Sequence, residues 1–162
     1  MFKKDIRGRA LLGINDLVRE VLKMVELDLR VEGISVATEL REGLPQLLAD
    51  RAQLQQVFLN LIMNAIEAMR PITGRARVLR IRSNIIQDSN CVVVAVEDSG
   101  TGIDRNDKDR IFEPFFTTRS TGMGIGLAIC QSIIESHGGT LQASANNPYG
   151  MIFRVALPGG NF

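Results

Sequence analysis

The chain has 162 residues and is 45% apolar, enough for one domain with a buried core. Its 19 Lys and Arg nearly balance 18 Asp and Glu, which gives no reason to expect a nucleic-acid or acidic-lipid partner. Cys91 and Cys130 lie in apolar runs without metal-ligand spacing, no apolar run reaches bilayer length, and the opening MFKKDIRGR lacks a signal-peptide core, so the expectation is a reduced, cytoplasmic chain with no membrane contact of its own.

From Ile14 to Glu32, apolar residues recur at helical spacing (Ile14, Leu17, Val18, Val21, Leu22, Val25, Leu29), with Asn15 or Asp16 near a cap, and predict a first amphipathic helix. GISVATELREG alternates Ile34, Val36 and Thr38 against smaller or polar neighbours; with QLLAD after Gly43 and Pro45 it predicts two short strands. Asp50 and Gln53 resemble a capping box that opens a long helix to about Arg70, where Pro71 and Gly74 stop it. RVLRIRSNII alternates Leu79 and Ile81 with Arg80 and Arg82, the pattern of a sheet with one wet face, and the wholly apolar CVVVAVED predicts a central strand. A polar loop over about 99 to 123 leads into a helix ending at His137, capped by Gly138 and Gly139, and TLQASA and MIFRVALP form a closing hairpin around NNPYG. This order lacks strict strand-helix alternation. It predicts an α/β two-layer sandwich, a mixed, mostly antiparallel sheet with helices on one face.

Three clusters in this scaffold carry chemistry. On the long helix, Gln53, Gln56, Asn60, Asn64 and Glu67 gather on a flank beside the apolar stripe. Asparagine is a poor residue in mid-helix, because its amide competes for backbone bonds, so Asn60 and Asn64 one turn apart read either as a solvated face or as ligand-facing amides. A neutral amide oxygen can hold Mg²⁺ without cancelling the charge that phosphates need. Asp98 closes the central strand just before Gly100 and Gly102; it reads as a turn aspartate or, against that bare glycine wall, as an acceptor for a planar ligand amine. Gly122, Gly124 and Gly126 precede and open a helix, where free N–H groups and partial positive charge suit phosphate. No Lys-Ser/Thr follows those glycines, and no strand directly precedes them, which excludes a Walker loop and a dinucleotide fingerprint. The loop between the clusters has the look of a lid, in which Arg119 either reaches a terminal phosphate or faces solvent; Phe112, Phe115 and Phe116 are core anchors or anchors at the lid's root.

Taken together, QVFLNLIMNAIEAM resembles the N box, VEDSGTGI the first glycine box, IFEPFFTT the F box and GMGIGLAI the second glycine box of sensor histidine kinases, in order and spacing across about residues 47 to 158. The resemblance implies the GHKL, or Bergerat, ATP-binding fold shared with type II topoisomerases and with heat-shock chaperone and mismatch-repair ATPases. It implies ATP or ADP with Mg²⁺, Asn64 coordinating the metal, Asn60 supporting the phosphates, Asp98 accepting the adenine amino group, Gly100 and Gly102 passing the base, and Gly122, Gly124 and Gly126 binding phosphates beneath the lid. Glu67, Ile103, Phe112, Thr121, Met123, Ile125 and Leu127 fall within or beside the same boxes and are assigned to the pocket with them. Hydrolytic members carry a glutamate one turn before the magnesium asparagine; here that position is Asn60, whose amide cannot take a proton from water, so Asn60, Asn64 and Arg119 would serve phosphoryl transfer by positioning and charge neutralisation.

Two departures qualify the resemblance. Ile152 replaces a threonine that often precedes the phenylalanine of the last hairpin, which predicts rearranged adenine contacts. The single histidine, His137, ends a helix and reads as structural, so the phosphoacceptor histidine would belong to an upstream dimerisation domain. The expected organisation is a linker remnant over 1–13 and a catalytic domain over 14–162. Its partners would be ATP, a histidine-bearing dimerisation domain of the same parent and a response regulator, with the isolated chain monomeric and the parent free to be membrane-anchored. A GHKL-fold serine kinase and a nucleotide-responsive interaction module remain as alternatives.

Overall fold

A computed structural model describes residues 8–103, 105–113 and 126–160 of the chain. In order, the elements are β1 (Arg9–Leu12), α1 (Ile14–Met24), α2 (Glu26–Val31), β2 (Ile34–Leu40), β3 (Leu47–Asp50), α3 (Arg51–Met69), β4 (Arg77–Ile86), β5 (Cys91–Asp98), a 3₁₀ helix over Arg105–Arg110, α4 (Gly126–Ser136), β6 (Thr140–Ala145) and β7 (Met151–Pro158). The main sheet has five strands in the order β2-β4-β5-β7-β6. Only the β2–β4 pairing is parallel, and the other three are antiparallel. β1 and β3 form a separate two-stranded ribbon.

Alternation explains the layers. Leu79 and Ile81 on β4, Val92, Val94 and Val96 on β5, and Phe153, Val155 and Leu157 on β7 are buried and belong to the same core as Leu54, Val57, Phe58, Leu61, Ile62, Ala65 and Ile66 of α3. Burying side chains of this size stabilises by roughly 1.5–3 kcal/mol each, so the sheet holds its helices on that face. The intervening Arg80, Arg82 and Arg154 are exposed. Arg82 pairs there with Glu97 (2.6 Å) and Glu39 (3.7 Å), and Arg154 donates to Ser144 Oγ. The expected two-layer sandwich with one wet face is therefore the architecture found, and β5 is its middle strand.

Helix ends follow local chemistry where that chemistry is short-range. Asp50 caps α3, its side chain accepting from the Gln53 N–H at 3.1 Å. At the end of α4, Gly138 has φ +78°, its N–H reaches the Glu135 carbonyl, and the Gly139 N–H reaches the Ile134 carbonyl, the paired bonds of a Schellman stop.

Three local expectations give way to tertiary structure. The single helix over Ile14–Glu32 is two, because Val25 adopts φ −106°, ψ 10°, which opens the turn while keeping the Val25-to-Val21 bond and leaving Val25 and Leu29 buried. Neither Asn15 nor Asp16 caps it. Gly13 is the cap residue, and Asn15 instead donates to the Arg41 carbonyl and accepts from Ser83 Oγ, each at 2.7 Å, while Asp16 pairs with Arg19. Arg9–Leu12, placed by sequence within the linker remnant, form β1 against β3, with Arg9 opposite Asp50 and Leu12 opposite Leu47.

Candidate functional site

α3 is the wall on which the site is built. Asn60, Asn64 and Glu67 are all half-buried, on the flank that the helical period assigns them. Two other segments meet this helix at different heights. Near its end, the Thr101 N–H donates to the Ala68 carbonyl at 3.1 Å, and a Cβ on Gly100 would lie only 2.5 Å from that oxygen. The glycine is what lets the turn after β5 close against α3. Midway, Gly126 opens α4 beside Asn60, whose amide nitrogen would be 4.0 Å from a Cβ at that glycine. Residues 60 and 68 are about 12 Å apart along a helix rising 1.5 Å per residue, so the two meetings bracket an elongated strip.

At one end stands Asp98, which is only 2% exposed. Its Oδ1 accepts from the Gly100 N–H at 2.8 Å and from the Met151 N–H at 3.2 Å, and its main-chain oxygen accepts from Asn146 Nδ2 at 2.9 Å. It is thus a turn aspartate, and the same bonds lock a buried carboxylate in one orientation. Gly102, at φ +72°, turns the chain next to the Gly150 carbonyl, and Ile103 packs on the core just beyond. Phe112 meets Phe153 edge-on, with ring centroids 6.5 Å apart, and packs against the core as an anchor.

The other end is the first turn of α4, where Gly126 and Leu127 are half-buried. The helix sits against α3 through the fully buried Cys130, whose thiol lies 3.7 Å from the Val57 carbonyl. Burial pushes that thiol up to about 11, against the opposing pull of a hydrogen bond from the Asn60 side chain. Asn60 is half-buried at this point, its amide beside the first residue of α4.

The structure brings Asn60, Asn64, Glu67, Asp98, Gly100, Gly102, Ile103, Phe112, Gly126 and Leu127 around this one strip or its edges. Arg119, Thr121, Gly122, Met123, Gly124 and Ile125 lie outside the described residues, as do Phe115 and Phe116. Ile152 stands opposite Glu97 and Ser144 across the sheet, on the strand face away from Asp98. Its neighbour Met151 is the residue whose N–H bonds the carboxylate. His137 is buried, with Nε2 accepting from the Asp50 N–H at 3.1 Å and Nδ1 facing the Ile133 carbonyl at 2.8 Å, partners that require the neutral Nδ1–H tautomer. It ties the end of α4 to the cap of α3 by hydrogen bonds rather than by charge against the helix dipole.

Sequence reasoning missed Arg75, Asn146, Tyr149, Gly150 and Met151, which surround the Asp98 turn. NNPYG shows a hairpin, and nothing in its spacing shows that the hairpin folds back over the aspartate. Chemically, the strip offers a fixed anionic acceptor at one end, helix N–H groups at the other and side-chain oxygens between. That suits a ligand with a planar amine and an anionic tail. Among the described residues, no group of three or more His, Cys, Asp or Glu could hold a metal ion, so a bound divalent cation would rely on amide or carboxylate oxygens of α3 together with the ligand's own. No helix among them is long and apolar enough to cross a membrane.

Comparison with known proteins bears on the family and the fold. A family model described as histidine kinase-, DNA gyrase B-, and HSP90-like ATPase matches residues 49–161. The sensor protein TdiS of Thauera aromatica is 37% identical over 145 residues, covering 90% of this chain and 26% of that protein. The signal transduction histidine-protein kinase AtoS of Escherichia coli K12 is 39% identical over 150 residues, covering 91% of this chain and 23% of that one. The chain thus spans about a quarter of the length of these relatives. Among solved structures, the catalytic domain of the histidine kinase ThkA superposes with a TM-score of 0.80 at 35% identity, covering 93% of this chain and 95% of that one. Full-length ShkA in complex with AMPPNP superposes with a TM-score of 0.82 at 27% identity, over 96% of this chain and 32% of that one.

Proposed function

Because the chain belongs to the histidine kinase-, DNA gyrase B- and HSP90-like ATPase family and has the fold of a histidine kinase catalytic domain, we propose that it binds ATP and transfers the γ-phosphoryl group to a histidine on a separate dimerisation domain of its parent, for relay to a response regulator. The observation that carries the proposal is the strip itself: the turn that holds the locked Asp98 carboxylate meets α3 at Ala68, and the start of α4 meets the same helix at Asn60. Asp98 accepts the adenine amino group, and Gly100 and Gly102 let the base pass close to the backbone. The triphosphate then runs along α3 to the first turn of α4, where Gly126 and Leu127 begin the helix and Asn60 donates to a phosphate. Sequence alone assigns Thr121 to Ile125 and Arg119 to the remaining phosphate contacts. Residues 14–162 would form the catalytic domain, with β1 adding the last residues of the preceding linker to its fold.

The donor set fits Mg²⁺, since Asn64 presents a neutral oxygen and Glu67 follows it on the same flank. Bound there with the phosphates, the ion would neutralise charge as the bond between the γ-phosphorus and the β,γ-bridging oxygen breaks and a phosphorus–nitrogen bond forms. Asn60 holds no general base over the phosphates, so water is not activated and transfer is favoured over hydrolysis.

The test supplies the chain with γ-labelled ATP, Mg²⁺ and a separately produced histidine-bearing dimerisation domain. Acid-labile label on that domain, with little free phosphate released by the chain alone, is the expected result. Acid-stable label on serine would point instead to a serine kinase of this fold, binding without transfer to an interaction module, and brisk phosphate release would overturn the role given to Asn60.

A further inference from the structure

Arg75 lies in the loop between α3 and β4, outside every motif of the proposed nucleotide site, yet it joins the two segments that grip Asp98. Its Nη1 donates to the Ser99 carbonyl, its Nη2 donates to the Gly100 carbonyl at 3.2 Å, and its guanidinium carbon lies 3.7 Å from the centroid of the Tyr149 ring. Ser99 and Gly100 form the turn whose Gly100 N–H bonds Asp98 Oδ1. Tyr149 belongs to the hairpin loop between β6 and β7, and that loop presses on Asp98 from the other side. Asn146 bonds the Asp98 main-chain oxygen, Met151 bonds Oδ1, and Gly150 sits so close that a Cβ there would be 2.1 Å from the Asp98 oxygen. Arg75 adds a side-chain tie between turn and hairpin loop to the contacts these segments make through Asp98 and where Gly102 meets the Gly150 carbonyl.

Arginine suits this task. Its planar fork reaches two successive carbonyls while its flat face rests on an aromatic ring, whereas a lysine ammonium is a point charge that cannot hold all three at once. We infer that Arg75 is a positioning residue for base recognition: by clamping turn to hairpin it fixes the direction in which the Asp98 carboxylate meets the base, and so sets the preference for adenine over guanine without touching the nucleotide. The inference rests on Asp98 being the base acceptor, and the experiment separates the two.

Affinities of the full chain for ADP and GDP are measured by calorimetry for the wild type, Arg75→Ala, Arg75→Lys, Tyr149→Phe, Tyr149→Ala and Asp98→Asn, together with thermal midpoints. The wild type should favour ADP, and Asp98→Asn should abolish that preference. Arg75→Ala should lower the ADP-to-GDP ratio about tenfold, equivalent to about 1.4 kcal/mol. Arg75→Lys should recover part of the ratio, and Tyr149→Phe all of it. Should Arg75→Ala fail to fold, Tyr149→Ala removes only the hairpin arm at a half-exposed residue and should lower the ratio several-fold. In the Asp98→Asn background, Arg75→Ala should change the ratio no further. A ratio unchanged in Arg75→Ala and Tyr149→Ala, with only the thermal midpoint reduced, overturns the inference and leaves Asp98 standing. A wild type without ADP preference, or an Asp98→Asn variant that keeps it, overturns both.

Discussion

Replacing Gly150 by alanine tests how tightly the hairpin loop must seat on Asp98. The added Cβ would lie 2.1 Å from the Asp98 main-chain oxygen and 2.6 Å from its Oδ1, and Gly150 has φ +94°. Two penalties follow, and they can be measured apart. An alanine at positive φ costs about 1 kcal/mol. Gly43, at φ +76° with open space for 4 Å around the position a Cβ would take, carries that penalty alone, which makes Gly43→Ala the control. The contact penalty is larger, because ordinary carbon–oxygen contact needs about 1 Å more than Gly150 allows, and the obstacle is backbone rather than a flexible side chain. Moving the loop outward would weaken the Met151 and Asn146 bonds to Asp98, at about 1 kcal/mol each. The expected total is about 3 kcal/mol for Gly150→Ala against about 1 kcal/mol for Gly43→Ala. In a domain of this size each kcal/mol lowers the thermal midpoint by roughly 2–4 °C, so differential scanning calorimetry should find drops of about 6–12 °C and 2–4 °C. ADP affinity should fall at least tenfold in Gly150→Ala and hold in Gly43→Ala. Equal midpoints for the two variants, or an unchanged ADP affinity in Gly150→Ala, would refute the reasoning that seating the loop orients the carboxylate.

Asn64→Ala should remove the Mg²⁺-dependent part of ATP binding, so that affinity with the metal falls to the level measured with chelator; an undiminished response to Mg²⁺ would take the metal role away from this residue. The raised Cys130 thiol gives a linkage prediction: the folded state holds this proton more tightly than the unfolded chain does, so its stabilisation is complete below pH 9 and is lost as pH rises from 9.0 toward about 11. The loss approaches about 3 kcal/mol at 1.36 kcal/mol per unit. Urea unfolding of the wild type and Cys130→Val across that range should diverge accordingly, and parallel curves would count against it.

What was legible in the sequence was whatever depended on near neighbours. The alternation along β4, the glycine stop after His137 and the Asp50 half of the capping box are each written within a few residues and stand in the structure, whereas the Asp50 N–H bonds His137 in place of the Gln53 side chain. The flank holding Asn60, Asn64 and Glu67 was equally readable, since one helical period fixes it. What escaped depended on partners far along the chain. β1 has four residues and exists only because β3 lies beside it. Asn15 looked like a cap because nothing local reveals the Arg41 carbonyl and Ser83 hydroxyl that engage it. The same holds at the site. Asp98 stood out against its glycines, whereas Arg75 sits in an ordinary loop and acquires its partners only after the strands have been ordered. Ile152 was singled out by resemblance alone, and strand alternation puts it on the face away from Asp98.

The bond between His137 and Asp50 joins three elements at one point. Asp50 is at once the cap of α3, the strand partner of Arg9 and the donor to His137, and the Arg9 guanidinium reaches the Ser136 carbonyl at 2.9 Å. One knot therefore fastens the base of α3, the tail of α4 and the incoming strand. The gap between the two helices at Asn60 and Gly126 thus lies at the end of the helix pair away from this knot, and the same knot holds β1 in place.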